Sequence, residues 1–564
     1  MSGFSTGRTG VRGWLGERAP LALLIWLAAV ATVVILPTFF WGDISGHDFE
    51  FHVASWIEVA RQWHQGVWYP RWAEMANFGF GEPRFIFYPP LSWLIGAALG
   101  TILPWHAAPD AYIWLTLMLA GVSMFQLSRR WLTRRNAMAA AVLFAVNPYH
   151  LVIVFYRSDF AELLASALLP VLILCALELQ KASWRGVCKF AVAFALIWLT
   201  NAPAAVIGTY SSAVIVLAAF AADRDWRILM RAGCGAALGF AVGAFYILPA
   251  ALERSWVQIG TVLTNNLQPW HNFLFTHSDD PEFLLFNWKV SAAALLTIGV
   301  FAVSAVFVTR ARKNLPGRFW PLATLGIVSI ALMFPFTSLV WSYLPELKFV
   351  QFPWRWLLPL EVLMTLFFCY AAAGMRRPWM AWVLSGALLA GLGAWMTTNT
   401  WWDKDDVPTV LEAITDNHGY EGADEYVPTA ADHDELDENA PSVEMQDNDK
   451  GESVPFVDGE KVSVGVWKAE YRVIEANLDE PLSLLVKLFP YPAWRASLNG
   501  SPVSIGHGDQ NGQTLIQLPA GKSEVVLRFE RTKDRLAGGI VSLLGLAALI
   551  ALWMAGQPSS FMRR

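Results

Sequence analysis

Just past its first apolar segment the chain reads Gly46-His47-Asp48-Phe49-Glu50-Phe51-His52, so two carboxylates and two imidazoles fall within six positions. Side chains of these types can exchange protons with a bound hydroxyl once they reach it. Charge is costly at a membrane boundary unless it has a task there. Asp48 is the first candidate for a general base, with Glu50 beside it and His47 and His52 in the same loop. Helix capping also accounts for Asp48, because a helical pattern begins at Phe49 and Asp is a good N-cap. The His47/Asp48/His52 set is not a strong metal signature.

A second cluster reads Tyr156-Arg157-Ser158-Asp159-Phe160-Ala161-Glu162. A helix start explains its spacing, with Ser158 or Asp159 as cap and Glu162 as capping-box partner. It does not explain Arg157 beside the carboxylates. The third cluster runs from Phe349 through Gln351, Phe352, Pro353, Trp354 and Arg355 to Trp356. Arg355 can be a snorkelling anchor or a bidentate fork for a phosphate. Glu361 lies deeper on the same helix and is expected to pair with a cation or line the cavity. His277, Asp279, Asp280 and Glu282 form a weaker group. There is no P-loop, GxGxxG after a strand, GxSxG, HExxH or CxxC, so nucleotide hydrolysis, serine hydrolase and zinc-protease chemistry have no support.

The elements that must position these residues are mostly apolar. Of 564 residues 55% are hydrophobic and only 15% charged, against about a quarter charged in soluble domains. The 29 Trp suit a protein with many interfacial anchors. A spanning helix takes roughly 20 apolar residues. Candidate spans are 20–41, 111–127, 137–150, 161–180, 188–201, 203–221, 232–250, 290–309, 319–336, 356–374, 378–397 and 535–555. With these twelve, every basic loop falls on one side, including the N-terminus, Ser128–Asn136 and the Arg563-Arg564 tail. Lys and Arg mark the cytoplasmic side, so both termini are expected inside. Residues 49–65 and 88–105 are expected as helices lying in the opposite interface. The four cysteines lie in or beside apolar segments, and no basic stripe suggests nucleic acid.

The domain reading follows: a transmembrane domain at 1–397, an acidic linker at 398–453, an extracytoplasmic β-sandwich at 454–533 and a final span with a short tail at 534–564. The sandwich rests on short alternating runs at Val462–Lys468, Tyr471–Ala476, Leu482–Phe489, Trp494–Leu498, Thr514–Leu518 and Glu524–Glu530, separated by turn signals such as Asn499-Gly500. The fold class is therefore a polytopic α-helical membrane protein with about twelve spans and a C-terminal β-sandwich.

These features resemble the GT-C superfamily of polytopic glycosyltransferases, in which an acidic motif in the first outer loop precedes two juxtamembrane helices. Here His47-Asp48-Phe49-Glu50 stands for the motif and Tyr88-Pro89-Pro90-Leu91 for the start of the second helix. Gln351-Phe352-Pro353-Trp354-Arg355 and Phe489-Pro490-Tyr491-Pro492-Ala493-Trp494-Arg495 are similar to the YfhO-like bacterial membrane proteins. The resemblance implies a polyprenyl-phosphate sugar donor, a glycan, lipid or protein acceptor, and inverting transfer on the outer face of a bacterial cytoplasmic membrane. It implies Asp48 as base, with Glu50 and either Asp159 or Glu162 as the further acidic residues. Arg355, Arg157 and Arg84 would hold the donor phosphate, and His47, His52, Tyr88, Gln351, Trp354 and Glu361 would line the substrate cavity. The first loop lacks a DxD motif, so no cofactor is expected and metal dependence is disfavoured. Two other readings remain open: a non-catalytic partner in envelope polysaccharide assembly, and a lipid or sugar transporter. Transport would place charge near the bilayer midplane, whereas most charge here lies at the boundary.

Overall fold

The computed structural model describes residues 19–310, 319–434, 436–446, 453–454, 462–508 and 511–556. The basic segments expected at the N-terminus and at the C-terminal tail lie outside these residues, as do residues 311–318 of the basic loop expected at Thr309–Arg318. Among the described residues nine helices are long and apolar enough to cross a membrane. Two further pairs are sharply bent: Arg227–Val242 with Ala244–Trp256, by 81°, and Phe319–Leu332 with Pro335–Tyr343, by 98°. The expected spans 232–250 and 319–336 are therefore broken rather than straight. Pro335 cannot supply the N–H that a continuing helix needs, and Gly243 ends the helix that begins at Arg227. The expected span 188–201 is the 15-residue helix Trp184–Trp198, below the length that crosses a bilayer, packed against Phe160–Glu178, Arg227–Val242 and Lys533–Ala555.

The two interfacial helices are Phe49–His64 and Pro90–Ile102. The first does not simply float at the surface. Its residues from His52 to Ala60 are all buried, because Pro90–Ile102 packs on one flank and Asp406–Thr415 on another. That second neighbour corrects the expected acidic linker. Residues 402–432 are largely folded: Trp402–Asp403 pairs antiparallel with Asp43–Ile44, and Val410, Ile414, Tyr426 and Val427 are buried. The strand Val443–Gln446, within the same expected linker, joins a sheet.

The β-domain consists of two five-stranded sheets, every neighbouring pair antiparallel. One centres on Leu482–Val486, flanked by Thr514–Leu518 and Val443–Gln446. The other centres on Gly521–Phe529, flanked by Tyr471–Leu478 and Trp494–Leu498. Alternation along Gly521–Phe529 buries Val525, Leu527 and Phe529 and exposes Glu524 and Arg528, as a half-buried strand should. This core is continuous with the first loop of the membrane domain, since Trp72, Phe80, Ile86 and Phe87 belong to it. The sandwich is thus seated on the loop that carries the interfacial helices.

Candidate active site

The helix that ends near residue 157 does so through a π-helical turn, Ile153–Arg157, closed by Ser158 at φ +53°. Such turns recur at functional sites. The Ser158 hydroxyl donates to the Ile44 carbonyl at 2.7 Å, and the Asp48 N–H donates to the Arg157 carbonyl at 2.8 Å. The first loop is thereby stitched to this turn. Gly46 makes the contact possible, because a Cβ there would sit 2.6 Å from the Arg157 carbonyl carbon. Two segments more than a hundred residues apart are so brought within side-chain reach.

Arg157 lies at their centre. One terminal nitrogen, Nη2, donates to Asp48 Oδ2 at 2.8 Å and to Asp159 Oδ2 at 3.2 Å, and Nη1 donates to Glu162 Oε2 at 2.5 Å. Arg355 enters from the Pro353–Trp356 turn. It donates from Nε to the same Glu162 oxygen at 2.9 Å and lies 3.6 Å from Asp159. Tyr149 donates its hydroxyl to the other Glu162 oxygen. His52 Nε2 is 3.5 Å from Asp159 Oδ1. Burial alone would raise the Asp159 carboxyl, but the His52 ring and the two guanidiniums hold it well below the usual carboxylate range.

The capping alternative divides between the two acids. Asp159 caps its helix, accepting from the Glu162 N–H at 2.8 Å. Asp48 occupies the N-cap position of Phe49–His64 without making a cap bond; its carboxylate turns to Arg157 instead. Its side chain is 37% exposed, against 5% for Asp159 and none for Glu162. Asp48 is the acid of this trio most open to a bound molecule.

These side chains border a cavity of about 610 Å³, within the size range of small-molecule sites. Asp48, His52, Tyr88, Arg157, Asp159, Gln351 and Arg355 all line it. Its opposite wall is apolar, built by Ala202, Val206, Ile247, Ala250 and Ala251 from membrane helices. Gln351, at φ +62°, donates to the Val262 carbonyl at 2.9 Å and accepts from Arg355 at 3.3 Å, tying the 259–263 turn over the cavity.

Several expected residues lie elsewhere. Arg84 is buried against Glu82 at 2.7 Å, between the Phe51 and Tyr420 rings, and does not line the cavity. Glu162 sits beneath the cavity as the shared counter-ion of two arginines. Trp354 also lies below, its ring 5.3 Å from the Arg157 guanidinium. Glu361 is buried in its helix, accepting from Thr297 at 2.7 Å. Glu50 faces Asp403, Asp406 and Glu421, and partial desolvation together with these acids raises its carboxyl. His47 packs on Phe286, and desolvation lowers its imidazole despite Asp48 beside it. Arg157 and Arg355 do line the cavity, but Arg157 already serves three carboxylates, and Arg355 donates to Glu162, the Val350 carbonyl and Gln351.

Sequence reasoning missed Arg254, Glu346, Glu425 and Tyr426, all cavity-lining. Arg254 is 44% exposed and 3.6 Å from Glu346, making it the more open guanidinium at the mouth. Glu425 is half-buried, and desolvation with nearby Glu82 pushes it up to about 7. Its local sequence, an acidic stretch, gave no sign of a wall. Among the described residues no group of three or more His, Cys, Asp or Glu side chains converges to hold a metal ion.

Among solved structures the chain is similar to ArnT from Cupriavidus metallidurans bound to undecaprenyl phosphate (16% identity, 68% of this chain and 64% of that one, TM-score 0.44). It is similar to the arabinofuranosyltransferase AftD from Mycobacteria (18% identity, 67% of this chain and 28% of that one, TM-score 0.41). It is also similar to the Archaeoglobus fulgidus oligosaccharyltransferase in the apo form (12% identity, 71% of this chain and 56% of that one, TM-score 0.41). In each case the match spans less than two thirds of the other protein's length. No curated protein matches the sequence. A family model described as 6-pyruvoyl-tetrahydropterin synthase related domain, membrane protein, matches residues 85–401, more than half of the chain, and the chain belongs to that family of membrane proteins.

Proposed function

We propose that this protein is an inverting membrane glycosyltransferase that moves a sugar from a polyprenyl-phosphate donor to a glycan, lipid or protein acceptor. One observation carries the reading: a single cavity joins an accessible carboxylate, held by an arginine, to an apolar wall of membrane helices. A lipid-linked sugar needs both, with its tail against the apolar wall and its reacting carbon at the polar end. Asp48 accepts the proton of the acceptor hydroxyl as that oxygen attacks the anomeric carbon. The bond to the phosphate breaks with inversion, and polyprenyl phosphate leaves. Arg157 fixes the direction of Asp48 through one oxygen, and Asp159 and Glu162 keep Arg157 in place. Arg254, with Arg355 behind it, holds the donor phosphate from its binding through its departure.

The basic loops favour a bacterial cytoplasmic membrane with both termini inside and the sandwich outside. In this reading residues 1–397 form the catalytic body and the sandwich presents the acceptor. A second concavity of about 990 Å³ on the sandwich supports that role. It is bordered by Trp256, Thr429, Arg495 and Arg528, and the 256–258 and 427–429 segments separate it from the catalytic cavity.

The test is incubation of the purified chain with a panel of polyprenyl-phosphate sugars and an envelope glycan fraction. Release of free polyprenyl phosphate dependent on the acceptor fraction is expected. Folded protein that releases none across the panel would sink the proposal and favour a non-catalytic assembly role.

A further inference from the structure

A third concavity, of about 460 Å³, lies behind the catalytic cavity, with Tyr246 in the wall of both. It opens where the first loop, the bent helix Ala244–Leu252 and the start of the last span meet. Trp68, Arg71, Phe245, Arg531 and Arg535 line it. Nothing in the proposed reaction uses these residues.

Its charges are arranged unusually. Arg535 is buried, and its Nε and Nη2 each donate to Glu253 at 2.7 Å. Tyr491 and Thr532 donate to the same carboxylate, at 2.5 and 3.0 Å. One edge of the Arg535 fork is thus saturated, while Nη1 is buried with no partner among the described residues. An unmet buried donor on a charged group costs free energy until an acceptor arrives. Arg531 is exposed, and its guanidinium donates to the Arg535 carbonyl at 3.3 Å. It also lies against Gly539, where a Cβ would stand 2.6 Å from Nη2. Gly539 is six residues beyond Lys533, about 9 Å along the last span. An arginine at a membrane edge ordinarily snorkels outward to water; this one folds inward along the helix. Arg71 stands opposite in a bidentate pair with Glu470, at 3.0 and 2.6 Å. Trp68, 77% exposed, stands at the rim, as an interfacial anchor would.

We propose that this groove is a second ligand site, separate from the catalytic cavity, that holds the phosphate of an anionic membrane lipid in the leaflet on the β-domain side. Arg531 meets the phosphate oxygens, the Arg535 side chain turns to bring its buried, unmet Nη1 to them, and the acyl chains lie along Phe245 and Pro249. The bound headgroup braces the junction where the last span, the bent helix and the sandwich are clamped by Glu253.

Native mass spectrometry of the purified full chain titrated with phosphatidylglycerol tests this. The parent protein is expected to retain one more phosphatidylglycerol than Arg531→Gln, with affinity at that site weakened roughly tenfold or more. Gly539→Ala, which displaces the guanidinium without removing it, is expected to weaken binding in the same direction. Asp48→Asn is expected to retain the lipid as the parent does, which separates this site from the catalytic reading. Equal retention by the parent, Arg531→Gln and Gly539→Ala would overturn the proposal. So would displacement of the lipid by inorganic phosphate at comparable concentration, since the site would then recognise the free anion.

Discussion

Two arginine–carboxylate groups flank the interfacial helix Phe49–His64, and they differ in balance and access. Glu82 and Arg84 form a matched pair, both almost fully buried. Glu82 spends its other oxygen on Asn77 and the Ala423 N–H, each at 3.0 Å, and Arg84 is sandwiched by aromatic rings. The Arg157 group sets three carboxylates against two guanidiniums and leaves Asp48 partly open to a cavity. A closed neutral pair fastens the first loop to the 420–426 wall. An unbalanced, open group keeps a charge available for chemistry. Residue type alone placed Arg84 with Arg157; access and partner count separate them.

The comparison breaks most readily at Arg84. Arg84→Met leaves Glu82 buried and unpaired, which typically costs about 3–5 kcal/mol. A large loss of thermal stability and of monodisperse protein in size-exclusion chromatography is expected. Retained stability would mean that the pair is not a fastener. At the open site, Arg254→Gln removes a charge without exposing a core. Its KM for the lipid-linked donor is expected to rise roughly tenfold with little change in melting temperature. A fall in kcat at constant KM would instead place Arg254 in the transition state alone.

The smallest effect is the pH dependence. Glu425 has its carboxyl raised to about 7 from 4.5, so between these values the folded protein keeps a proton the unfolded chain has lost. Stability therefore falls as pH rises through that window. Asp43 and Glu58, also raised to about 7 by burial, act in the same sense. Glu425→Gln is expected to shrink, not abolish, the drop in melting temperature between about pH 5 and about pH 8. An unchanged profile would show that Glu425 does not titrate there.

Much of the architecture was legible because it is written locally. The runs at Val462–Lys468 and Thr514–Leu518 match their strands to the residue, and in Thr514–Leu518 one buried face imposes period two. The interfacial helix expected at 88–105 agrees with Pro90–Ile102, a helix of 13 residues, too short to cross. Hydropathy could not show the bends at Gly243 and near Pro335, because both limbs of each pair are apolar. The folding of 402–432 was hidden for a different reason. Its acidic composition reads as solvated, yet its contacts are long-range, to Asp43, Met75 and Glu82. Asp48, Asp159 and Arg355, which line the cavity, stood out in the sequence from charge at a boundary. The burial of Glu162 and the withdrawal of Arg84 depend on which partners the fold supplies. The Glu82-Pro83-Arg84 spacing was the one local hint of the latter.

In the proposed reaction Asp48 does the chemistry while its arginine-linked neighbours hold it in place. The direct test compares parent and Asp48→Asn for release of polyprenyl phosphate from a lipid-linked sugar, with melting temperatures measured on the same preparations. Release is expected to fall by roughly a hundred- to ten-thousandfold with the melting temperature little changed. Release within a few-fold of the parent by a folded Asp48→Asn protein would contradict it.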